Sequence, residues 1–315
     1  MIKLGIMTSG GDAPGMNAAI SAVVKAASYH HMDVMGIQYG IQGLVDGNIY
    51  PLTSVELENI THKGGTMLKT SSSPEFIDET GAIASLGKFG INVLVIIGGN
   101  EALKYADKLQ QKGVKVIGIP ATIENDLTFT DYSIGFDTTI NTILDSIAKI
   151  KDTSLSHEKT TIVEVMGRDC GSLALFSALA GGGEIISTPE RKLDINTICS
   201  ELSTRINSGK RDNLVIVTEK LYEIGKLQKA IEEKLNISVR ASVLGILQRG
   251  GNPSAFDRIL ASKMGIAAVE LLKDGQSGKA VGIRENKIID VELNQVNTNM
   301  RDEQDNYRLA EILSY

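Results

Sequence analysis

The sequence does without several things, and each absence narrows what the chain can be. Its 315 residues hold two cysteines, Cys170 and Cys199. That is too few for a disulfide framework or a cysteine zinc cluster, and it suits small buried thiols in a reducing cytoplasm. Proline is scarce, 6 residues against 32 glycines. No apolar run approaches the ~18 residues of a membrane span. The stretch Met1–Asp12 meets glycine and aspartate too early for a secretory leader. Positive charge is in short supply: 32 basic against 38 acidic residues leave a net charge of −6. That balance argues against nucleic acid or a membrane surface as partner, though it leaves room for one local basic pocket. His30, His31 and His62 show no metal-ligand spacing, and His157 reads as a loop or interface residue. Short-period repeats, low-complexity segments and obvious linkers are missing too.

What is there is an α/β pattern. Hydrophobic residues make up 42%, enough for a sizeable core, and the length suits about two domains of roughly 100–200 residues. Short apolar runs end in glycine or polar residues and alternate with helical stretches. Lys3–Met7 leads into Thr8–Met16 and a helix over Asn17–Ala27; Asn92–Ile97 leads into Gly98-Gly99-Asn100 and a helix to about Lys112. Val114–Ile119 leads into Pro120–Asp126, Thr161–Val165 into Met166-Gly167-Arg168, and Leu214–Val217 into Thr218-Glu219. Continuous apolar runs of this kind predict mostly parallel strands buried on both faces, in a doubly wound, Rossmann-like α/β fold. Function then belongs at the carboxyl ends of the strands.

The strand ends carry the chemistry. Gly10 and Gly11, after the first run, let a backbone approach an anion at a helix N-terminus; they equally suit a tight strand-to-helix turn. The loop is neither G-x-G-x-x-G nor a Walker A motif. Glu124 and Asp126 put two carboxylates on one polar loop, one to take a proton and one to hold a metal or orient its neighbour, or else an acidic turn with a helix cap. Arg168, Arg240 and Arg249 are planar, multidentate phosphate binders or surface ion-pair partners.

In this order the pieces resemble the bacterial ATP-dependent 6-phosphofructokinase family over essentially the whole chain. The resemblance rests on Thr8–Asn17, Gly64-Gly65-Thr66, Pro74-Glu75-Phe76, Val163–Arg168, Gln248–Gly251 and Asp257–Ala261. It implies a two-lobed phosphofructokinase fold: residues 1–136 with 250–300 as the nucleotide-side lobe, residues 137–249 with 301–315 as the sugar-phosphate lobe. It also implies a homotetramer, ATP and Mg2+ as cofactors, and fructose 6-phosphate as acceptor. Residues matching the sugar site are Lys159, Met166, Gly167, Arg168, Glu219, Arg240 and Arg249, with Lys159 and Arg240 serving a neighbouring subunit's site. Lys159 replaces an arginine and Ile246 replaces a histidine. Catalytic positions fall on Thr122, Glu124, Asp126 and Arg168, and effector positions on Ser21, Lys25, Ser54, Lys151, Glu184, Ser208 and Lys210, with about half the family's basic groups gone.

The nucleotide half departs most. The family's Gly-Gly-Asp-Gly-Ser loop reads Gly98-Gly99-Asn100-Glu101-Ala102, so the magnesium carboxylate is a neutral amide at Asn100. Asn100 suits a helix N-cap, and Glu101 puts a negative charge where a phosphate would sit. A glycine that leaves room for adenine is Tyr105, one turn from Ala102, so the phenol is expected in the nucleotide groove. A phosphate-contacting arginine is Ser72, its aromatic neighbour Ser73, the catalytic aspartate Glu124, and a tyrosine near the first loop Ile41. Pyrophosphate-using relatives carry lysine where this chain has Ala121. The sequence therefore predicts a homologue that retains most of the sugar half, with weakened polar contacts, and has a degraded MgATP half, weakly active or inactive, serving as a sugar-phosphate-binding or regulatory subunit alone or in a mixed tetramer. The alternative is a competent 6-phosphofructokinase with an atypical nucleotide site.

Overall fold

The computed structural model describes residues 2–71, 78–297 and 301–314. Ser72, Ser73 and Pro74-Glu75-Phe76 lie outside the described residues. In chain order come β1 (Lys3–Ser9), α1 (Met16–Tyr29), β2 (Asp33–Ile37), α2 (Gly40–Asp46), β3 (Ile49–Pro51), α3 (Glu79–Phe89), β4 (Val93–Gly98), α4 (Asn100–Gln111), β5 (Lys115–Pro120) and α5 (Phe136–His157). There follow β6 (Thr160–Val165), α6 (Ser172–Gly181), β7 (Ile185–Ser187), α7 (Ile195–Asn207), β8 (Leu214–Thr218), α8 (Ile224–Leu235) and β9 (Val239–Val243). The last elements are α9 (Ala255–Lys273), β10 (Lys279–Arg284), β11 (Lys287–Glu292) and α10 (Gln304–Leu313). The chain divides into two units, Met1–Thr138 with Arg249–Asn299, and Thr139–Gln248 with Met300–Tyr315.

The first unit is built on a seven-stranded sheet in the order β11-β10-β5-β4-β1-β2-β3. Its five central strands are parallel, and β3 and β11 close the edges antiparallel. All six residues of β4 are buried, as a Val-Leu-Val-Ile-Ile run must be when helices cover both faces. The register aligns the strand ends. Ser9 at the end of β1 is level with Gly98 at the end of β4, and Gly98 is level with Pro120 at the end of β5. Three loops therefore leave neighbouring strands from the same edge of the sheet.

The second unit has a four-stranded parallel sheet, β7-β8-β6-β9. Its core joins Ile162, Val215 and Val217 of the strands to Ile198 and Leu202 of α7 and Leu227 and Ile231 of α8. Here α7 is capped by Asp194, which accepts from the Thr197 amide at 2.9 Å. Among the described residues no helix is long and apolar enough to cross a membrane. The architecture is the mostly parallel, doubly wound α/β fold that the run pattern predicts.

Candidate active site

In the first unit the three loop ends form one surface. Gly10 takes φ +86°, a left-handed conformation that turns the chain away from β1 toward α1. Gly11 faces Arg249 so closely that a Cβ there would run into the guanidinium. Arg249 donates to the Asp12 carbonyl at 3.3 Å and reaches Glu124 Oε1 at 3.6 Å. Both side chains are mostly buried, so water screens this pair less than a surface one. The Thr122 hydroxyl accepts from the Glu124 amide at 3.2 Å, and Thr122 packs under Gly99. Gly10, Gly11, Gly99, Thr122, Glu124 and Arg249 thus occupy one strand-end cluster, with Asp126 half-buried two residues beyond Glu124. Sequence reasoning passed over Asn125 and Ser133 in this cluster. Asn125 is buried in the left-handed region, φ +53°, and accepts from the Ser133 amide at 2.8 Å. An asparagine between two carboxylates carries no signal of such a role, because its partner lies eight residues away on the return segment.

The start of α4 differs from its sequence reading in two ways. Asn100 does not cap the helix. Gly99 holds that place, and Asn100 is the first helical residue, its amide directed at Glu101 Oε1 at 3.3 Å. Its Oδ1 is buried with no partner among the described residues. Glu101 sits in the first turn, as expected, but is exposed and paired with Lys104 at 2.9 Å. Ala102 and Tyr105 do share the inward face of α4. Tyr105 is 0% exposed and packs in the hydrophobic cluster with Leu44, Leu86 and Leu109. Burial, and then Glu79 and Asp78, push its phenol well above the ordinary range, and its hydroxyl lacks a partner among the described residues. Where a glycine would leave space, the ring is part of the core.

The second unit carries most of the residues that match a sugar-phosphate site, at two ends of its sheet. Met166, Gly167 and Arg168 follow β6, with Gly167 at φ +140° and Arg168 at φ +49° in a turn closed by the Cys170 amide on the Gly167 carbonyl at 2.8 Å. Glu219 follows β8 beside them, its amide on the Val165 carbonyl at 2.8 Å. Burial, and then the charge of Glu219, raise the Glu164 carboxyl above its usual range. Lys159 and Arg240 are elsewhere. Lys159 precedes β6, and Arg240 lies at the start of β9 opposite Thr161. A strand of five or six residues separates these ends by about 17–20 Å. Arg249 groups with the first unit, and Ile246, at the histidine position, is 85% exposed.

Effector positions are mixed. In the second unit Glu184 pairs with Lys210 at 2.6 Å, Lys151 donates to the Gly181 and Gly182 carbonyls at 3.2 Å, and Ser208 is exposed. In the first unit Lys25 and Ser54 are exposed, but Ser21 is buried. No group of three or more His, Cys, Asp or Glu side chains among the described residues is arranged to hold a metal ion.

A parallel sheet with glycine, threonine and paired-carboxylate loops on neighbouring strand ends places the chain among the doubly wound α/β proteins. Comparison with known proteins makes this specific: the chain belongs to the phosphofructokinase family, whose profile, described as Phosphofructokinase, matches residues 3–272. It is 48% identical over 298 residues to the ATP-dependent 6-phosphofructokinase of Clostridium acetobutylicum, covering 94% of this chain and 93% of that protein. It is 46% identical over 318 residues to the enzyme of the same description from Clostridioides difficile, covering both completely. Among solved structures, phosphofructokinase from Saccharomyces cerevisiae superposes with a TM-score of 0.88 at 30% identity. The match covers 94% of this chain and 45% of that one, so this chain spans under half of the yeast subunit's length. A pyrophosphate-dependent phosphofructokinase from Marinobacter aquaeolei shares the fold, with a TM-score of 0.86 at 22% identity over 100% of this chain and 91% of that one.

Proposed function

We propose that the chain transfers a phosphoryl group from ATP to fructose 6-phosphate on a nucleotide half weakened by substitution, so that turnover falls below that of its relatives. Likeness to ATP-dependent 6-phosphofructokinases along the full chain supports the reaction. The observation that carries the reading is the strand-end cluster in which Glu124 meets Arg249 beside Gly11. In it Glu124 serves as the base for the acceptor hydroxyl, Arg249 orients that carboxylate, and the amides after β1 receive phosphate. Arg168 and Glu219 hold the sugar phosphate of their own chain. Lys159 and Arg240, at the far end of the second sheet, serve a second copy, so the working form holds at least two chains, and the family resemblance favours a tetramer. ATP would supply the phosphoryl group, and the family's magnesium, when bound, would screen its charge. Asn100 fits the metal poorly, since a neutral amide oxygen replaces a carboxylate, and no step is assigned to the ion.

The weakening has a magnitude. Losing one preorganised charge contact costs about 3–4 kcal/mol, and Asn100 and Ser72 each lack one. The two do not add, but a fall of about 10³-fold in turnover is expected. A second reading, a sugar-phosphate-binding or regulatory subunit without turnover, partnered by a standard paralogue, is favoured by the core-packed Tyr105 ring. The comparisons support the kinase better. Prolonged incubation of micromolar protein with fructose 6-phosphate, ATP and magnesium, followed by phosphorus NMR, separates them. Fructose 1,6-bisphosphate is the expected product; its absence under conditions where fructose 6-phosphate binds selects the second reading.

A further inference from the structure

The acidic loop and the first glycine loop lean on one short segment, and that segment is held by a carboxylate that the phosphoryl-transfer chemistry does not use. Asp257, in the first turn of α9, is completely buried. It accepts from the Gly135 amide at 2.9 Å, the Thr138 amide at 2.8 Å and the Thr138 hydroxyl at 2.5 Å. Gly135 immediately precedes α5 and Thr138 lies in its first turn, where N–H groups have no partner within the helix. Ser254 locks the carboxylate's own helix: its hydroxyl accepts from the Asp257 amide at 3.2 Å, and its amide donates to the Thr138 hydroxyl at 3.0 Å.

Residues 133–135, just upstream, touch both functional loops. Ser133 donates through its amide to Asn125 Oδ1 at 2.8 Å, and its hydroxyl reaches the Thr122 carbonyl at 2.7 Å. Ile134 pairs with Ala121 and donates to the Pro120 carbonyl at 3.1 Å. On the other side, a Cβ on Gly135 would lie 2.7 Å from Ala13 Cβ, and one on Gly15 would lie 2.6 Å from Ile134 Cγ2. There is no slack between this segment and the exit of the glycine loop.

We propose that Asp257 is a positioning residue: by fixing Gly135 and Thr138 it sets the placement of residues 133–135, and through them the Thr122–Asn125 loop that bears Glu124 and the Ala13–Gly15 exit of the phosphate loop. The catalytic consequence rests on the reading of Glu124 as the base; the structural one does not. A buried carboxylate with three donors is costly to replace, because an amide in its place turns one acceptor into a donor facing donors.

The test uses full-length wild type, Asp257→Asn and the milder Thr138→Val, with hydrogen exchange read by mass spectrometry. In Asp257→Asn the amides of residues 121–126 and 133–138 are expected to exchange about 10-fold faster, with β6, β8 and β9 unchanged. Turnover is expected to fall about 10-fold or more while the rise in melting temperature given by fructose 6-phosphate stays at its wild-type value. A folded variant with wild-type exchange at 121–126 overturns the proposal, as does acceleration spread evenly over both units. If Asp257→Asn does not fold, Thr138→Val decides, with about 3-fold acceleration at the same amides expected and none contradicting it. Should wild type show no turnover, the kinase reading fails, and the exchange result still decides the role of Asp257.

Discussion

At the scale of single residues, two buried polar groups carry the sharpest expectations. Tyr105 holds its hydroxyl in the core without a partner among the described residues. Tyr105→Phe removes that unsatisfied group and keeps the packing, so stability is expected to stay level or rise by about 1 kcal/mol. Tyr105→Gly opens a cavity, and large-to-small changes of this size cost about 3–5 kcal/mol, well above the ~1 kcal/mol of helix propensity alone. Urea melts of both variants check the pair; a strong loss in Tyr105→Phe contradicts the buried, unpartnered hydroxyl. For Asp257, burial pushes the carboxyl from 3.8 up to about 6 against the pull of its three donors, with Asp137 adding to the rise. The folded state therefore holds the proton more tightly than the unfolded chain. This contribution to stability is fully present below pH 3.8 and is lost as pH rises through about 6. Between pH 4 and 7 it amounts to about 2–3 kcal/mol. Unfolding curves of wild type and Asp257→Asn are expected to diverge in slope across that window; parallel curves contradict it. Sequence alone placed Asp257 in a matching stretch but gave no sign of its burial, since its partners lie about 120 residues away.

At the scale of elements, the strands were the most legible part. Apolar runs at Lys3–Met7, Asn92–Ile97 and Thr161–Val165 reappear as β1, β4 and β6, shifted at their ends by one or two residues. Their run length and glycine ends leave few alternatives when both faces are covered. The start of α4 was less legible, because capping depends on one dihedral that a sequence does not print. The helix takes Gly99 as cap and leaves Asn100 Oδ1 without a partner among the described residues. Repair of this helix start and its neighbours is the element-scale experiment. The combined set Ser72→Arg, Asn100→Asp, Glu101→Gly, Ala102→Ser, Tyr105→Gly and Glu124→Asp is expected to raise turnover at least ~10²-fold, if it folds despite the Tyr105 cavity. Asn100→Asp alone should gain little while Ser72 and Glu124 stay as they are, because these effects couple. A folded combined variant with no gain moves the limitation to Lys159 and Ile246 in the second unit.

At the scale of the whole molecule, the proposed sharing of sugar sites between copies follows from residues that match such a site lying at two ends of the second sheet. Light scattering at micromolar concentration is expected to give a tetramer, or a dimer that completes a tetramer with a partner chain; a strict monomer contradicts the role given to Arg240. Ligand preference reflects the same asymmetry: fructose 6-phosphate should raise the melting temperature more than MgATP at equal millimolar concentration, because a ligand stabilises in proportion to its hold on the native state. The most direct measurement is the steady-state turnover of the purified chain with saturating fructose 6-phosphate, ATP and magnesium, in an assay coupled to fructose 1,6-bisphosphate. Turnover that is measurable, requires ATP and lies about 10³-fold below the roughly 1–100 per second of ordinary kinases is the expected result. A rate inside that ordinary range would contradict the weakened nucleotide half, and no turnover at all would contradict the kinase.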